Sequence, residues 1–481
     1  MRNEVIQALL EKYGGRATDS IYERSLYSRD LAPVPSLLVD PLFSTLPDIV
    51  VRPANSGEVA DIMKTAFQNN IPVTPRAGGS TVYFDSVPIK RGILLDLNLI
   101  KGVAGIDAAN MTVTVKAGTT WSELEEYLRP HQLAAKSYPS SAPAATIGGW
   151  FCMMGYGIGS LKYGSLPTQV RSIEVVSPEG KILTLTHDSK PSLDRYAQSE
   201  GTLGIITQLE VEVRRLTEMK HFLLHVPTSI KMLEIMHSLM KGPVVPYNMH
   251  FTDQACLKTL KGLGIAPANL DNGCLVGVDY EGSEAELHQA LAFIDQLAAD
   301  RTVRPLDEST ADHEWQERFL AMKLKRGGPS ILGAEIWLPI KHLPQYLAGV
   351  EQMSQAYKLN LFSYGHVVTP EYATVMTTFY ADETHTIKYI INLSLVKKIH
   401  DIGYRFGGRP YGVGLWNSPM IGRIHDASQL ENLRARKKSA DPAGIMNPGK
   451  VYQAPLMLNP FNYAVGMSAL AVVRKLFGKG W

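Results

Sequence analysis

Only three cysteines occur in 481 residues, Cys152, Cys256 and Cys274, and none belongs to a C-x-x-C pair. An iron–sulfur or zinc site on one local motif is therefore excluded, as is a disulfide framework, which points to a reducing compartment. Charge of one sign is not in excess. The 48 basic and 46 acidic side chains leave +2, with no basic block, so the concentrated cationic footprint that nucleic acid demands is missing. No apolar run reaches the ~20 residues needed to span a bilayer. The opening MRNEVIQALLEKYGG is too polar for a signal peptide, and the expected location is the cytoplasm. No internal repeat, low-complexity tract or Walker A pattern is present. The run GYGIGS (155–160) has the wrong spacing for a Rossmann fingerprint, and no acidic residue follows at the right distance. What remains is ordinary soluble globular composition, 45% apolar and 20% charged, on a chain long enough for at least two domains.

The first half alternates strand and helix signals. PDIVVRP (47–53), IPVT (71–74), GILLDL (92–97), MTVTVKAG (111–118), IEVVSPEGKI (173–182) and IITQLEVEVRR (205–215) read as strands. Asn55 is positioned to cap a helix carrying Val59, Ile62, Met63 and Ala66 at helical spacing, and a threonine opens the helix TTWSELEEYL. Near Thr217 the texture changes to helices of mixed charge with interspersed strands, which predicts a second, α+β domain. The expected organisation is 1–217, 218–430, a return to the first domain at 431–454, and a C-terminal helix at 455–481.

Four glycine-rich clusters fall within ~130 residues, each beside a strand: TPRAGGST (74–81), YPSSAPAATIGGW (138–150), GYGIGSLKYG (155–164) and SEGTLGII (199–206). Glycine lets another group approach the main chain, and successive free N–H groups form anion sites. One cluster alone reads as a turn. Four suggest a long ligand threaded along the domain, and a dinucleotide has the right length.

The order PRAGGST, YPSSAPAATIGGW, GSLKYG, EGTLGII, DPAGIMNPGK resembles the FAD-binding oxidoreductases of the vanillyl-alcohol-oxidase and p-cresol-methylhydroxylase type, most of all their glycolate oxidase and D-lactate dehydrogenase branch. The resemblance spans about 40–215 and 440–452 strongly and the middle weakly. It implies an α+β fold with a two-subdomain FAD-binding domain and an α+β cap. It implies that Pro75, Arg76, Ala77, Gly78, Gly79, Ser80 and Thr81 wrap the FAD pyrophosphate. Pro139, Ser140, Ser141, Thr146 and Gly149 would run past the flavin ring. Gly155, Ser160 and Tyr163 would reach the diphosphate or ribityl region, and Glu200, Gly201 and Ile206 the adenosine end. Asn447 would return from the C-terminal side to the flavin. Where one subgroup carries an attachment histidine, this chain has Ser80, so noncovalent FAD is expected.

The chain departs from the metal-binding pattern of many 2-hydroxy acid members. His366 is kept, but the other positions carry Ala373, Pro410 and Tyr411, and no metal is expected. YRFGGRPYGVGLWN (404–417) supplies the remaining candidates. His366 or Tyr411 would act as base and Arg409 or Arg405 would hold a carboxylate bidentately, with Tyr404, Trp416 and Asn417 against the substrate. The expected reaction is oxidation of a small 2-hydroxy acid, with electrons passed to a redox partner protein or a quinone; self-association is left open. The alternatives are oxidation of an aromatic alcohol or phenol, and a FAD subunit that only relays electrons. Past residue 453, Tyr463, Met467, Leu470, Val473 and Phe477 make one apolar helical stripe, with Arg474, Lys475, Lys479 and Trp481 near its end. This predicts a helix docked on a partner or on the protein itself, with peripheral membrane contact as the second reading.

Overall fold

The computed structural model describes residues 2–153, 155–266 and 270–477. It divides into two compact units. The first takes the chain up to Gly155, Ser165–Arg215 and Gly412–Ala464; the second takes Tyr156–Gly164, Leu216–Tyr411 and the chain from Val465 onward. The return to the first unit therefore comes at Gly412, where 431 was expected, and a nine-residue piece of the glycine-rich sequence belongs to the second unit.

Unit 1 holds two sheets. The smaller contains β1 (Ala17–Thr18), β2 (Ile49–Val51), β3 (Val73–Arg76) and β4 (Ile93–Asp96), in the order β1-β2-β4-β3, with β2, β4 and β3 parallel. Such strands are covered on both faces and so read as apolar runs. Ile49, Val51, Val73, Ile93 and Leu95 are buried with Val59, Ile62, Met63 and Ala66 of the helix Ser56–Gln68. Asn55 caps that helix by accepting the Glu58 N–H at 3.0 Å. The larger sheet is antiparallel: β5 (Val103–Asp107), β6 (Thr112–Lys116), β7 (Leu133–Ala135), β8 (Val170–Val176), β9 (Ile182–Thr186) and β10 (Ile205–Arg215). Its order is β5-β6-β10-β8-β9, with β7 also on β10. A Thr120 capping box starts the helix Trp121–Leu128.

Unit 2 is built on β11 (Glu218–Val226), β12 (Asn248–Thr252), β13 (Cys274–Gly282), β14 (Arg304–Pro305), β15 (Ser330–Pro339), β16 (Phe362–Val367), β17 (Tyr372–Ala381) and β18 (Arg409–Pro410). They form one sheet in the order β14-β11-β13-β12-β16-β17-β15-β18. Register fixes which residues share a face. Val276, Phe251, Gly365, Val375, Ile336 and Pro410 pair across six strands and make an apolar row. The helix Thr386–Arg405 packs on that face, with Gly403 against the Ile336 side chain.

The last described helix runs Pro460–Phe477. Tyr463, Met467 and Leu470 are half-buried along it as the stripe predicted, but Val473 turns outward and Arg474 inward. The Phe477 side chain, Lys479 and Trp481 lie outside what is described.

Candidate active site

In unit 1 the loop after β3 is bare backbone set against a second loop. A Cβ at Gly78 would lie 1.9 Å from the Ala144 carbonyl oxygen. Gly79 has φ +59°, and a Cβ there would lie 2.7 Å from the Arg76 guanidinium. Among the described residues, the backbone N–H groups from Ala77 to Val82 donate to no acceptor in the chain. Pro139 and Ser141 fold the second loop, their carbonyls accepting from Ala142 and from Ala144 and Ala145. It ends at Thr146, whose hydroxyl caps the helix Ile147–Cys152 through the Gly149 N–H. Gly201 lies against Pro75 and the Asn447 side chain. Asn447 itself donates its backbone N–H to Val73 and its side-chain N–H groups to the Asp85 and Glu200 carbonyls. Pro75 to Thr81, Ser140 to Gly149, Glu200, Gly201 and Asn447 are thus one neighbourhood. Ile206 is a buried β10 residue paired with Val175 of β8. A row of unengaged N–H groups, with glycines where any side chain would collide, fits a diphosphate-bearing cofactor.

Beneath these loops unit 1 buries charge. Glu200 accepts the Val413 N–H at 3.0 Å and the Gly414 N–H at 2.5 Å. The Lys450 ammonium donates to the Asp85 and Val87 carbonyls and to Asn447 Oδ1. Burial, then the neighbouring Asp85, pushes the Glu200 carboxyl upward. The same two causes push Asp30 up to about 7, and burial pulls Lys450 down to about 8. Trp416 and Asn417 belong to this network, not to unit 2. The Leu415 and Trp416 N–H groups both donate to the Tyr83 carbonyl, and the Asn417 side chain donates to Gly412.

The sheet face of unit 2 opposite the helix Thr386–Arg405 carries a different kind of site. Gly277, His250, His366, Thr374, Trp337 and Arg409 pair in sequence across β13, β12, β16, β17, β15 and β18. The His250 and His366 rings are 5.9 Å apart, and His250 lies over Gly277, where a Cβ would meet its ring at 2.0 Å. His250 Nε2 is 3.8 Å from Glu314. Burial, then His250, pulls His366 down to about 3, so its ring is neutral at physiological pH; its Nδ1 is buried without a partner. One row further along, Asp279 bridges His221 and Asn248, each at 2.8 Å. At the other end Arg409 lies 5.8 Å from the Trp337 ring centroid, and among the described residues its guanidinium makes no ion pair or hydrogen bond. Trp337 stands between Tyr156 (4.6 Å) and Tyr372 (5.3 Å).

Of the residues read from 404–417, the structure brings only Arg409 and Tyr411 to this region. Tyr411 OH donates to the Tyr156 carbonyl at 3.0 Å and receives its N–H at 3.3 Å, so the hydroxyl is engaged in holding the segment Tyr156–Gly164. The Glu281 carboxylate holds that segment's far end, accepting from Tyr163 OH and from Lys162 at 3.2 Å. Ser160 caps locally, accepting the Gly157 N–H, while Gly155, at φ +65°, accepts Leu166 N–H just before the segment. Tyr404 and Arg405 end the helix on the opposite sheet face, and are not brought together with His366. The sequence ran them together with Arg409 because a short loop hides a change of face. His250, Trp337 and Glu281 went unnoticed, since no local motif marks them and only strand register aligns them. Among the described residues no group of three or more His, Cys, Asp or Glu is placed to hold a metal.

Two family models match the chain, and the second of them runs past Gly412 into the returning part of unit 1. Residues 47–186 match the FAD binding domain model, and 216–451 match the C-terminal domain of FAD linked oxidases. The mitochondrial D-lactate dehydrogenase [cytochrome] of Arabidopsis thaliana is 24% identical over 423 residues, covering 84% of this chain and 73% of that protein. The glycolate oxidase subunit GlcD of Bacillus subtilis (strain 168) is 24% identical over 450 residues, covering 90% and 93%. The crystal structure of p-cresol methylhydroxylase with substrate bound superposes with a TM-score of 0.79 at 16% identity, covering 94% of this chain and 96% of that one, which shows the shared fold. With both halves matched and the cofactor loops assembled in one unit, the chain belongs to the FAD-linked oxidases and is a FAD-dependent oxidoreductase acting on CH–OH groups.

Proposed function

We propose that this enzyme oxidises a small 2-hydroxy acid of the D-lactate or glycolate type and passes the electrons to a separate acceptor, a quinone or a redox protein. The observation that supports this reading is the unit 2 row, where Arg409, without an ion pair or hydrogen bond among the described residues, and a neutral His366 share one sheet face three strands apart. Arg409 would hold the substrate carboxylate as a planar fork. An imidazole nitrogen of His366 would take the hydroxyl proton as the C–H bond gives up its hydride. Burial keeps that ring neutral, and so able to accept a proton. Glu314, beside His250, would stabilise positive charge on the histidine pair. Tyr411 would position the Tyr156 segment rather than act as base. FAD, when bound, supplies the two-electron acceptor; Ala77–Thr81, Thr146, Gly149, Gly201 and Asn447 would hold it without a covalent link. The names of the two relatives above support the substrate class.

A second reading rests on the aromatic ladder Tyr156–Trp337–Tyr372, which would suit an aromatic alcohol or phenol. Anaerobic addition of D-lactate, glycolate and an aromatic alcohol separates the two. Bleaching of the flavin band by the aliphatic acids supports the first reading, and bleaching by the aromatic alcohol alone replaces it with the second. No bleaching across a broad panel would favour an electron-relay subunit.

A further inference from the structure

The helix Pro460–Phe477 is turned the unusual way round. Its one arginine points inward: Arg474 is 6% exposed, donates to Asn392 Oδ1 of the helix Thr386–Arg405, and lies 5.6 Å from the Tyr357 ring centroid. Four of its apolar side chains point outward. Val465 is 55% exposed, Val472 56% and Leu476 66%, and Phe461 in the first turn is 75% exposed. The spacings of four, seven and four put all four on one face. Small exposed side chains, Ser468 and Ala469, fill the gap between them. A helix that buries its guanidinium and leaves four apolar groups in water presents a face suited to an apolar partner.

Charge selects the cover. With Arg474 buried, Lys475 is the exposed cation of this helix among the described residues, and the segment 460–481 has no acidic residue. A second copy of the same helix would bring like charge against it, whereas a surface of anionic lipid brings opposite charge to meet apolar side chains. We propose that this face lies on an anionic bilayer surface, with Val465, Val472 and Leu476 at the acyl boundary and Lys475 at the headgroups. No helix among the described residues is long and apolar enough to cross a membrane, so the contact is peripheral.

The test uses the full-length holoenzyme and vesicles of equimolar phosphatidylglycerol and phosphatidylcholine, beside vesicles of phosphatidylcholine alone. The wild type should sediment with the anionic vesicles and release at high salt. The double variant Val472→Glu, Leu476→Glu should lose at least about tenfold in partitioning, because a charge replaces each immersed side chain. Both positions face water, so the variant's flavin spectrum and melting should match the wild type. Absence of wild-type binding to anionic vesicles overturns the proposal, as does equal binding by the double variant. Equal binding to phosphatidylcholine alone overturns the anionic choice. A concentration-dependent dimer that the double variant dissolves assigns the face to a second copy instead.

Discussion

Unit 1 and unit 2 build their sites from opposite materials. In unit 1 the site is main chain: glycines and unengaged N–H groups, with carboxyl groups and an ammonium buried beneath. In the candidate site of unit 2 it is side chains: two imidazoles, an indole and a guanidinium from four strands of one sheet row, with the His366 ring held neutral by burial. A polyphosphate cofactor asks for many donors and close approach, which backbone supplies. A small substrate asks for a few specific groups at defined separations, which a rigid sheet supplies.

The sharpest way to break this comparison is to add a side chain in unit 1. Gly78→Leu, or Gly79→Leu, should leave no flavin on the protein through gel filtration, since one collides with the Ala144 carbonyl and the other with Arg76 in a left-handed backbone. A yellow Gly79→Leu protein would mean that the pyrophosphate lies elsewhere. In unit 2 the expectation reverses. His366→Asn should keep its flavin and spectrum but lose turnover by about 10²- to 10⁴-fold, as loss of a general base does. Arg409→Met should also stay yellow and raise KM by about 10- to 100-fold with a smaller change in kcat. Steady-state kinetics beside flavin content separates these outcomes.

A smaller effect sharpens the same contrast through pH. His400 is pulled down to about 3 by burial and then by Lys397. Its stabilising contribution is full above its ordinary value of 6.5 and is lost as pH falls below that toward 3, by up to about 1.4 kcal/mol per pH unit. Asp30 has the opposite sign. Raised to about 7, its contribution is full below its ordinary 3.8 and is lost as pH rises through 7. Acidification from about 7 to about 5 should therefore weaken protection around His400 and strengthen it around Asp30, read as hydrogen-exchange protection factors corrected for intrinsic rates. Equal shifts in both units would remove the contrast. The smallest expected effect is none: chelator should leave activity intact, because among the described residues no three His, Cys, Asp or Glu are placed to hold a metal. Activity lost to chelator and restored by zinc or manganese would reverse that reading.

The sequence made unit 1 readable because its site is written in consecutive letters. Gly78-Gly79, Thr146 and Asn447 announce themselves through bare backbone, a cap and a turn. It made unit 2 readable only in pieces. His366 stood out, but its neighbour His250 is 116 positions earlier in the chain and meets it through strand register alone. The run 404–417 looked like one loop, yet it ends a helix at Arg405, adds a strand at Arg409–Pro410 and changes units at Gly412. The inward turn of Arg474 has no mark in the local sequence; the Asn392 side-chain oxygen and the Tyr357 ring on neighbouring helices decide it.

The division of the chain also has a consequence for its biosynthesis. The core of unit 1 includes Ile445 and Met446, and β3 is completed by a bridge from Val73 to Met446. Those residues leave the ribosome only after the whole of Leu216–Tyr411 has been made. At 5–20 residues per second, roughly two hundred intervening residues impose a delay of about 10–40 s. During that interval β3 has one unfilled edge and the nascent cofactor loops lack Asn447. FAD is therefore expected to load after release of the full chain, and translation intermediates stalled within unit 2 should emerge without flavin and bound by chaperones.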